Sequence, residues 1–323
     1  MTAGDSVLVG DVGGTHARFA IVDVSSKSFA VHHRLDLESD KFPSFDEALR
    51  AYLDRAGLSG RPDAAALAVA GPVTNGQVKF TNRGWQASED GLRRLGFRHA
   101  LLINDFAALA FSVSALAPQD VLAIGPELQG MDDEPVTILG AGTGFGVACL
   151  ARYRGRLVPV ATEGGHMGFA PKGDDQIAVL QVLAKRFDHV SVERVLSGPG
   201  LENVHQALAQ IAGSKAEPLT AADIVSQAKS GEPQCRAALD MFCAVYGSVA
   251  GDFALAHGAR GGVFIAGGIA EKIEDYLERS DFRARFEDKG RLSYFVRPIP
   301  TKLIRNENAA FLGAARASLE FRD

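Results

Sequence analysis

Two glycine-rich stretches decide how this chain folds, Gly10-Asp11-Val12-Gly13-Gly14-Thr15 and Gly140-Ala141-Gly142-Thr143-Gly144-Phe145-Gly146. Each lies between apolar, β-branched runs: residues 7–9 and 17–22 flank the first, and residues 136–139 and 147–150 flank the second. Glycine permits the positive φ angles of tight turns, and β-branched residues favour strands. Both stretches are therefore predicted to be the turns of β-hairpins.

These turns differ from the common phosphate-binding loops. A Walker-type loop needs Gly-Lys-Ser/Thr at the start of a helix, and a dinucleotide fingerprint needs G-x-G-x-x-G between a strand and a helix. No lysine follows Gly14 or Gly146, and strand-like residues follow both turns. The turns instead offer backbone N–H groups, the hydroxyls of Thr15 and Thr143, and the carboxylate of Asp11, which can orient a hydrated Mg²⁺. Either hairpin alone would suit a structural role, but the repeat favours a chain that holds a polyphosphate from both sides.

Chain length and net charge limit the classes of protein to which this chain can belong. The chain has 323 residues, which favours two domains that each bury a core. It carries 34 Lys and Arg against 39 Asp and Glu, for a net charge of −5. Because no basic excess would attract a polyanion, we predict no nucleic-acid partner and no membrane partner.

Cysteine usage and the apolar segments predict a cytoplasmic protein. Cys149, Cys235 and Cys243 lack C-x-x-C spacing, so reduced structural thiols are favoured over disulfides or a zinc site. The first residues, Met1 to Asp5, carry no features of a secretory signal. The uncharged run over residues 135–151 is shorter than the ~20 residues that a membrane helix needs.

The first half of the chain has a βββαβα pattern, typical of a layered α/β domain. After the hairpin we predict a strand near residues 29–35. Ser44 and Glu47 are predicted to form a capping box at the start of a helix, which has Phe45 on its apolar face and ends at Gly57. Further predicted elements are strands over residues 64–70 and 100–103 and a helix over 106–116.

The second half repeats this opening. The predicted elements are strands near residues 135–139, 145–152 and 156–161, a mostly helical stretch over 175–257, strands over 262–266 and 295–300, and a helix over 308–319. The shared opening predicts an internal duplication, with a cleft between two similar lobes. We expect a small lobe over residues 1–115, to which a C-terminal helix at about 303–323 returns, and a large lobe over residues 116–302.

Several motifs carry a resemblance to a known family. Besides the two glycine turns, these are INDF at residues 103–106, EGGH at 163–166, ERVLSGPGL at 193–201 and VFIAGGI at 263–269. In this order, and over nearly the whole chain, they resemble bacterial ATP-dependent glucokinases. The resemblance implies a two-lobed ribonuclease-H-like (actin-like ATPase) fold with duplicated mixed β-sheet domains. It also implies ATP and Mg²⁺ as cofactors, D-glucose as the phosphoryl acceptor in the first step of glycolysis, and a homodimer.

The same resemblance assigns a sugar site. It makes Asp105 the general base that takes the proton of the sugar's 6-hydroxyl, with Asn104 binding neighbouring hydroxyls. Glu163, His166 and Glu193 are the further sugar ligands that it implies. A related zinc-binding branch of sugar kinases and repressors has a cysteine cluster near its histidine, which this chain lacks, so His166 is assigned to the sugar. A plain Asn-Asp helix cap is the structural alternative for residues 104 and 105.

Weaker motifs extend the assignment. Gly71, with Pro72 after it, resembles a loop that approaches the sugar, and Thr81-Asn82 and Trp85 resemble a segment near it, although Gly-Pro is also an ordinary turn. Gly267 and Gly268 resemble the superfamily's motif on the adenosine side of the nucleotide. The structural alternative is a strand-to-helix turn that needs small residues for packing. The full predicted nucleotide set is Gly10, Asp11, Val12, Gly13, Gly14, Thr15, Gly142, Thr143, Gly144, Gly267 and Gly268, with Asp11 reaching Mg²⁺ through water.

Other functions remain as alternatives. A sugar-sensing regulator would be expected to carry an N-terminal helix-turn-helix module, for which a first strand at residue 7 leaves no room, and to lose Asp11 or Asp105. Kinases of another hexose, an N-acetylated sugar or an acyl substrate are the closest rivals. An acyl substrate has no use for hydroxyl-binding acids such as Glu163 and Glu193.

Overall fold

A computed structural model describes residues 6–25, 29–58, 60–80, 84–214 and 217–321. Met1 to Asp5 and the predicted sugar-side pair Thr81-Asn82 lie outside these ranges. The contacts divide the chain into two compact units. The first comprises Met1–Asp120, Tyr153–Ala161 and Asn306–Asp323, and the second comprises Val121–Arg152 and Thr162–Arg305.

The first unit opens with the predicted hairpin. Its elements up to residue 112 are β1 (Ser6–Val12), β2 (His16–Asp23), β3 (Ala30–Glu38), α1 (Phe45–Arg55), β4 (Ala64–Val69), β5 (Gln77–Lys79), β6 (Gln86–Ser88), α2 (Glu89–Arg94), β7 (His99–Asn104) and α3 (Asp105–Ser112). Five strands form one sheet in the order β3-β2-β1-β4-β7, with β1 and β2 antiparallel and β1, β4 and β7 parallel. The short β5, β6 and α2 were absent from the predicted pattern, and α3 ends four residues earlier than predicted.

The second unit contains the second hairpin and most of the helices. Its strands are β8 (Val121–Ala123), β9 (Val136–Ala141), β10 (Phe145–Tyr153), β11 (Arg156–Thr162), β12 (Gly262–Ala266) and β13 (Thr301–Ile304), in the sheet order β11-β10-β9-β12-β13-β8. Its helices are α4 (Asp174–Leu183), α5 (Gly198–Ile211), α6 (Ala221–Lys229), α7 (Pro233–His257), α8 (Gly268–Lys272), α9 (Glu274–Arg279), α10 (Phe282–Glu287) and α11 (Ser293–Val296). The last helix of the chain, α12 (Ala309–Glu320), belongs to the first unit.

The predicted strand over residues 295–300 is wrong. Its start lies in α11, and the strand of this region, β13, begins only at Thr301 and pairs in parallel with β12. Pro298 and Pro300 have no backbone N–H to give to a ladder. An apolar run interrupted by two prolines therefore packs Val296 and Ile299 into the core without forming a strand.

Local signals explain the elements that were predicted correctly. The Ser44 hydroxyl caps α1 by accepting a hydrogen bond from the Glu47 N–H at 3.2 Å, which is one half of the predicted capping box; within the described residues, the Glu47 side chain gives no return bond. Phe45, Leu49 and Tyr52 are buried on the inner face of this helix. Every side chain of β4 is buried, as expected of a central parallel strand covered on both faces. All three cysteines are free and buried.

Helix α7 forms the centre of the second unit. It is long and apolar enough to cross a membrane by length and composition, and 72% of its most apolar window is buried inside the fold. It packs against α5, α6 and α10. The same test finds no other such helix in the part of the chain that the structure describes.

Candidate active site

The ends of three parallel strands meet at one edge of the first sheet. Asp11 of β1 lies beside Ala68 of β4, which in turn lies beside Ile103 of β7. Asn104 and Asp105 follow Ile103, so the acid of the first glycine turn and the acid at the start of α3 emerge at the same edge. The carboxyl ends of parallel strands are the usual place for a ligand site in an α/β sheet.

The first glycine turn is tight. The Gly13 N–H donates to the carbonyl of His16 at 2.9 Å. Gly10 is buried, and a Cβ there would lie 2.7 Å from Leu67 Cδ2, whereas a Cβ on Gly13 would meet nothing closer than 3.8 Å. Val12 has a fully buried side chain, so it can offer a ligand only its backbone. The turn thus combines a packed base with an open tip.

Asn104 caps helix α3. Its Oδ1 accepts hydrogen bonds from the N–H groups of Phe106 (3.0 Å) and Ala107 (3.2 Å). Its Nδ2 donates to Asp105 Oδ1 at 3.0 Å and to the carbonyl of Gly71 at 3.4 Å. The structural alternative of a helix cap is therefore real for Asn104. The same amide also brings together three residues that the sequence assigned to the sugar.

Asp105 has the electrostatics of a candidate base. Burial, opposed by the hydrogen bond from the Phe106 N–H and reinforced by the charge of Asp11, raises the pKa of its carboxyl to about 6. A carboxylate whose pKa approaches the working pH can both take a proton and release it, as general-base catalysis requires. A fully exposed helix cap would have no reason for such a shift.

Sequence reasoning missed Arg18. Its Nη1 lies 2.9 Å from Asp11 Oδ2, and its Nε lies 3.5 Å from Asp36 on β3. Arg34 forms ion pairs with the same Asp36 and with Glu307, which lies just before α12. The signal was available, because a hairpin turning at residues 13–15 places Arg18 opposite Asp11.

In the second unit, the second glycine turn is held at both ends. The Gly142 N–H donates to the Gly144 carbonyl at 2.8 Å, and the N–H of Gly198, the first residue of α5, donates to the Gly142 carbonyl at 2.8 Å. A Cβ on Gly142 would meet no atom within 4 Å, and Thr143 is exposed. The tip of this turn is therefore also accessible to a ligand.

The EGGH motif packs directly on this hairpin. Residues Gly164–His166 form one turn of 3₁₀-helix, with Glu163 before it. A Cβ on Gly165 would lie 2.0 Å from the Phe145 carbonyl oxygen, and one on Gly164 would lie 2.6 Å from the Phe253 ring. Glycine is needed here for close approach, and the result is that the Glu163 and His166 side chains are both exposed beside the second glycine turn.

Glu193 joins the same cluster. It lies on a short 3₁₀-helix, Val192–Arg194, and the segment before this helix pairs with the residues just after the EGGH turn through the Gly168–Ser191 bridge. Its Oε2 accepts a hydrogen bond from the Phe145 N–H at 2.8 Å. The second unit thus brings together the glycine turn, the EGGH turn and Glu193.

Gly267 and Gly268 lie at the end of β12, next to the second hairpin. Gly267 has a φ of +93°, and a Cβ there would lie 2.6 Å from the Ala141 carbonyl oxygen. Packing therefore requires a glycine at 267. A Cβ on Gly268 would face open space, so only the second glycine is left for a ligand.

Trp85, which the motif resemblance places in a segment near the sugar, is buried in the core of the first unit. The residue is 5% exposed, and its indole packs edge-on against Phe80, with ring centroids 6.4 Å apart. No group of three or more His, Cys, Asp or Glu side chains that could hold a metal ion occurs within the described ranges. Asp11, at the end of β1, supplies one hard oxygen donor beside the first glycine turn, which fits a hydrated Mg²⁺ ion.

Comparison with known proteins places this arrangement in a family. The family model described as Glucokinase matches residues 8–320. The chain belongs to the glucokinase family. It is 50% identical over 311 residues to a glucokinase of Caulobacter sp. (strain K31), covering 96% of this chain and 94% of that relative. With this membership, the resemblance drawn from the motifs is confirmed, and the chain is an ATP-dependent hexose kinase of the glucokinase type.

Solved structures agree on the fold of this glucokinase-family chain. The crystal structure of glucokinase from an Antarctic psychrotroph superposes with a TM-score of 0.91 at 38% identity, over 98% of this chain and 99% of that one. A ROK family glucokinase from Streptomyces griseus, solved in complex with glucose and AMPPNP, has a TM-score of 0.65 at 17% identity, over 97% and 98%. The expected actin-like ATPase fold is confirmed.

Proposed function

We propose that this chain transfers the γ-phosphoryl group of ATP to the 6-hydroxyl of D-glucose, giving glucose 6-phosphate and ADP. The observation that carries the proposal is the Asp105 carboxyl, placed where β7 meets α3 with its pKa raised to about 6. At neutral pH it is ionised and able to accept the hydroxyl proton as the O–P bond forms. Phosphoryl transfer needs chiefly positioning and charge neutralisation beyond this, so the rest of the site has to bind and orient.

The nucleotide is proposed to bind at the glycine turns. The accessible tips at Gly13 and Gly142 fit a ligand that approaches the backbone, and Thr15 and Thr143 are exposed beside them. When bound, Mg²⁺ would neutralise phosphate charge. Asp11 would orient it through water, and Gly268 would lie on the adenosine side. The Streptomyces griseus glucokinase, solved with glucose and AMPPNP, supports ATP as the donor.

Glucose is proposed to bind through five polar side chains and one backbone loop. Its ligands would be Asn104, Asp105, Glu163, His166 and Glu193, with the loop at Gly71. Carboxylates accept hydrogen bonds from sugar hydroxyls, and a hydrogen bond to a charged group contributes about 1.5 to 3 kcal/mol. Exposed Glu163 and His166 are available for this role. The two compact units would act as the two lobes, within a cytoplasmic homodimer.

The substrate assignment is tested with one coupled assay. ATP-Mg²⁺ is supplied with glucose, mannose, fructose, N-acetylglucosamine or acetate, and kcat/KM is measured for each. We expect the largest kcat/KM with glucose and no turnover with acetate. A larger kcat/KM with any other acceptor, or no turnover with all of them, would contradict the proposal.

A further inference from the structure

One hydrogen bond joins the proposed sugar ligands to the proposed phosphate turn. The Phe145 N–H, directly after the second glycine turn, donates to Glu193 Oε2 at 2.8 Å. A carboxylate has two oxygens and can accept several hydrogen bonds at once. Within the described residues, the Oε1 atom of Glu193 makes no hydrogen bond, and the side chain is half-buried. Glu193 can therefore hold the turn with one oxygen and a sugar hydroxyl with the other.

The turn is built to admit this carboxylate. A Cβ on Gly144 would lie 2.5 Å from Glu193 Oε2 and 3.4 Å from Glu193 Cδ. Gly144 has no positive φ, so the glycine is required for space and not for backbone conformation. Any side chain at 144 would push the carboxylate away from the Phe145 N–H.

The segment that carries Glu193 is also fixed to the opposite end of the turn. The Gly198 N–H donates to the Gly142 carbonyl at 2.8 Å. Between these two ties, the Ser197 hydroxyl donates to the Glu193 carbonyl at 2.8 Å and accepts from the Gly200 N–H at 2.9 Å. Residues 193–198 thus hold both ends of the turn. A change in the position of Glu193 can therefore reach both ends of the turn.

We propose that Glu193 couples the glucose site to the phosphate site, so that each substrate raises the affinity for the other through the Glu193–Phe145 hydrogen bond. The inference rests on the proposed function. A hydroxyl on Oε1 removes rotational freedom from the carboxylate and thereby from the turn, so a nucleotide that binds next has less ordering to do. By linkage, the effect of nucleotide on glucose affinity is the same.

Isothermal titration calorimetry on the full chain measures this coupling. The dissociation constant of Mg²⁺-AMPPNP is determined without glucose and at saturating glucose, and their ratio is the coupling factor. For the wild type we expect a ratio in the range of about 5 to 150 that coupled sites commonly show. In Glu193→Asp, the shorter side chain cannot reach both partners, and the ratio should fall to about 1. Glu193→Gln retains an acceptor oxygen, so its ratio should lie between the two.

Two glycine variants give a matched control on the turn itself. Gly144→Ala should displace the Glu193 carboxylate and lower the ratio in the same way as Glu193→Asp. Gly142→Ala alters the same turn, but its methyl group would meet nothing within 4 Å, so it should keep the wild-type ratio whatever its own nucleotide affinity. Glu163→Gln should weaken glucose binding and also keep the ratio.

A spectroscopic readout follows the hydrogen bond directly. In protein labelled with ¹⁵N-phenylalanine, the Phe145 amide is assigned by its loss in Phe145→Leu. Adding glucose alone should shift this amide in the wild type and leave it unshifted in Gly144→Ala. A wild-type ratio in Glu193→Asp, or a Phe145 amide that does not respond to saturating glucose, overturns the coupling. A wild type that phosphorylates no glucose overturns the proposed function instead.

Discussion

The guanidinium of Arg18 lies 2.9 Å from the carboxylate of Asp11, directly across the first hairpin. Asp11 in turn raises the pKa of Asp105 through its negative charge. The arginine therefore offsets part of the repulsion that Asp105 would otherwise meet when it ionises. This relationship connects a residue outside the predicted set to the proposed base.

Removing this arginine should move the acidic limb of the pH–rate profile. Asp105 must be ionised to act, so kcat/KM should fall below about pH 6 in the wild type. Arg18→Gln leaves the Asp11 charge uncompensated, which raises the pKa of Asp105 and moves the limb to higher pH by a few tenths of a unit, because the pair is partly exposed. Profiles of kcat/KM from pH 5 to 8 measure this. Arg18→Lys should restore the limb, and a limb that moves to lower pH would contradict the argument.

Replacing the proposed base should abolish most of the activity. Asp105→Asn keeps the shape of the side chain but cannot accept the hydroxyl proton, so kcat should fall by about 10²- to 10⁴-fold. Steady-state assays at pH 7.5 measure the loss, and the circular dichroism spectrum checks the fold. Near-normal turnover in a folded variant would remove Asp105 from the chemistry.

The same substitution should stabilise the fold at neutral pH. The folded state raises the pKa of Asp105 from 3.8 to about 6, so between these pH values it binds more protons than the unfolded state. Stability therefore falls as pH rises through this window and stays lower above it. Asp105→Asn removes the penalty, which we expect to add about 1 to 3 kcal/mol to the unfolding free energy at pH 7.5.

Urea unfolding at pH 7.5 and at pH 4 tests this sign. The gain from Asp105→Asn should shrink strongly at pH 4, where the wild-type carboxyl is protonated in the fold. A variant that is less stable than the wild type at pH 7.5 would show that the carboxylate is stabilised by its surroundings.

Crowding at the EGGH turn gives a prediction with an internal control. In Gly165→Ala the new methyl would lie 2.0 Å from the Phe145 carbonyl oxygen, so the turn and the hairpin must separate. We expect a loss of about 1 to 3 kcal/mol in stability and a higher KM for glucose. Gly168→Ala, whose methyl would lie 3.7 Å from His189, should change neither by much. Equal effects of the two substitutions would refute the packing argument.

Local patterns predicted the elements that depend on neighbours in sequence. The two hairpins, α1 with its Ser44 cap and the strand at residues 262–266 follow from turn chemistry, a capping residue and short apolar, β-branched runs. The three-residue strands β5 and β6 are too short to give a period. The run at residues 295–300 failed because packing, not periodicity, decides whether an apolar stretch with two prolines forms a strand.

The sequence likewise predicted some features of the candidate site and not others. Motif resemblance supplied the residue types, including Asp105, Glu163 and Glu193. It did not supply Arg18, nor the bond between Glu193 and the Phe145 N–H, because that contact joins positions 48 apart in the chain. Asn104 was assigned to the sugar, and the structure also gives it the capping of α3.

By itself the sequence determined the two glycine turns, their flanking strands and the family to which the motifs belong, since these depend on residue type and short spacing. Only the tertiary structure decided which atoms meet. The pKa of Asp105 follows from its burial and from a neighbouring strand, and the place of Glu193 follows from a glycine that leaves room for its carboxylate. Electrostatics and steric fit act over a few ångströms in space, whatever the separation along the chain.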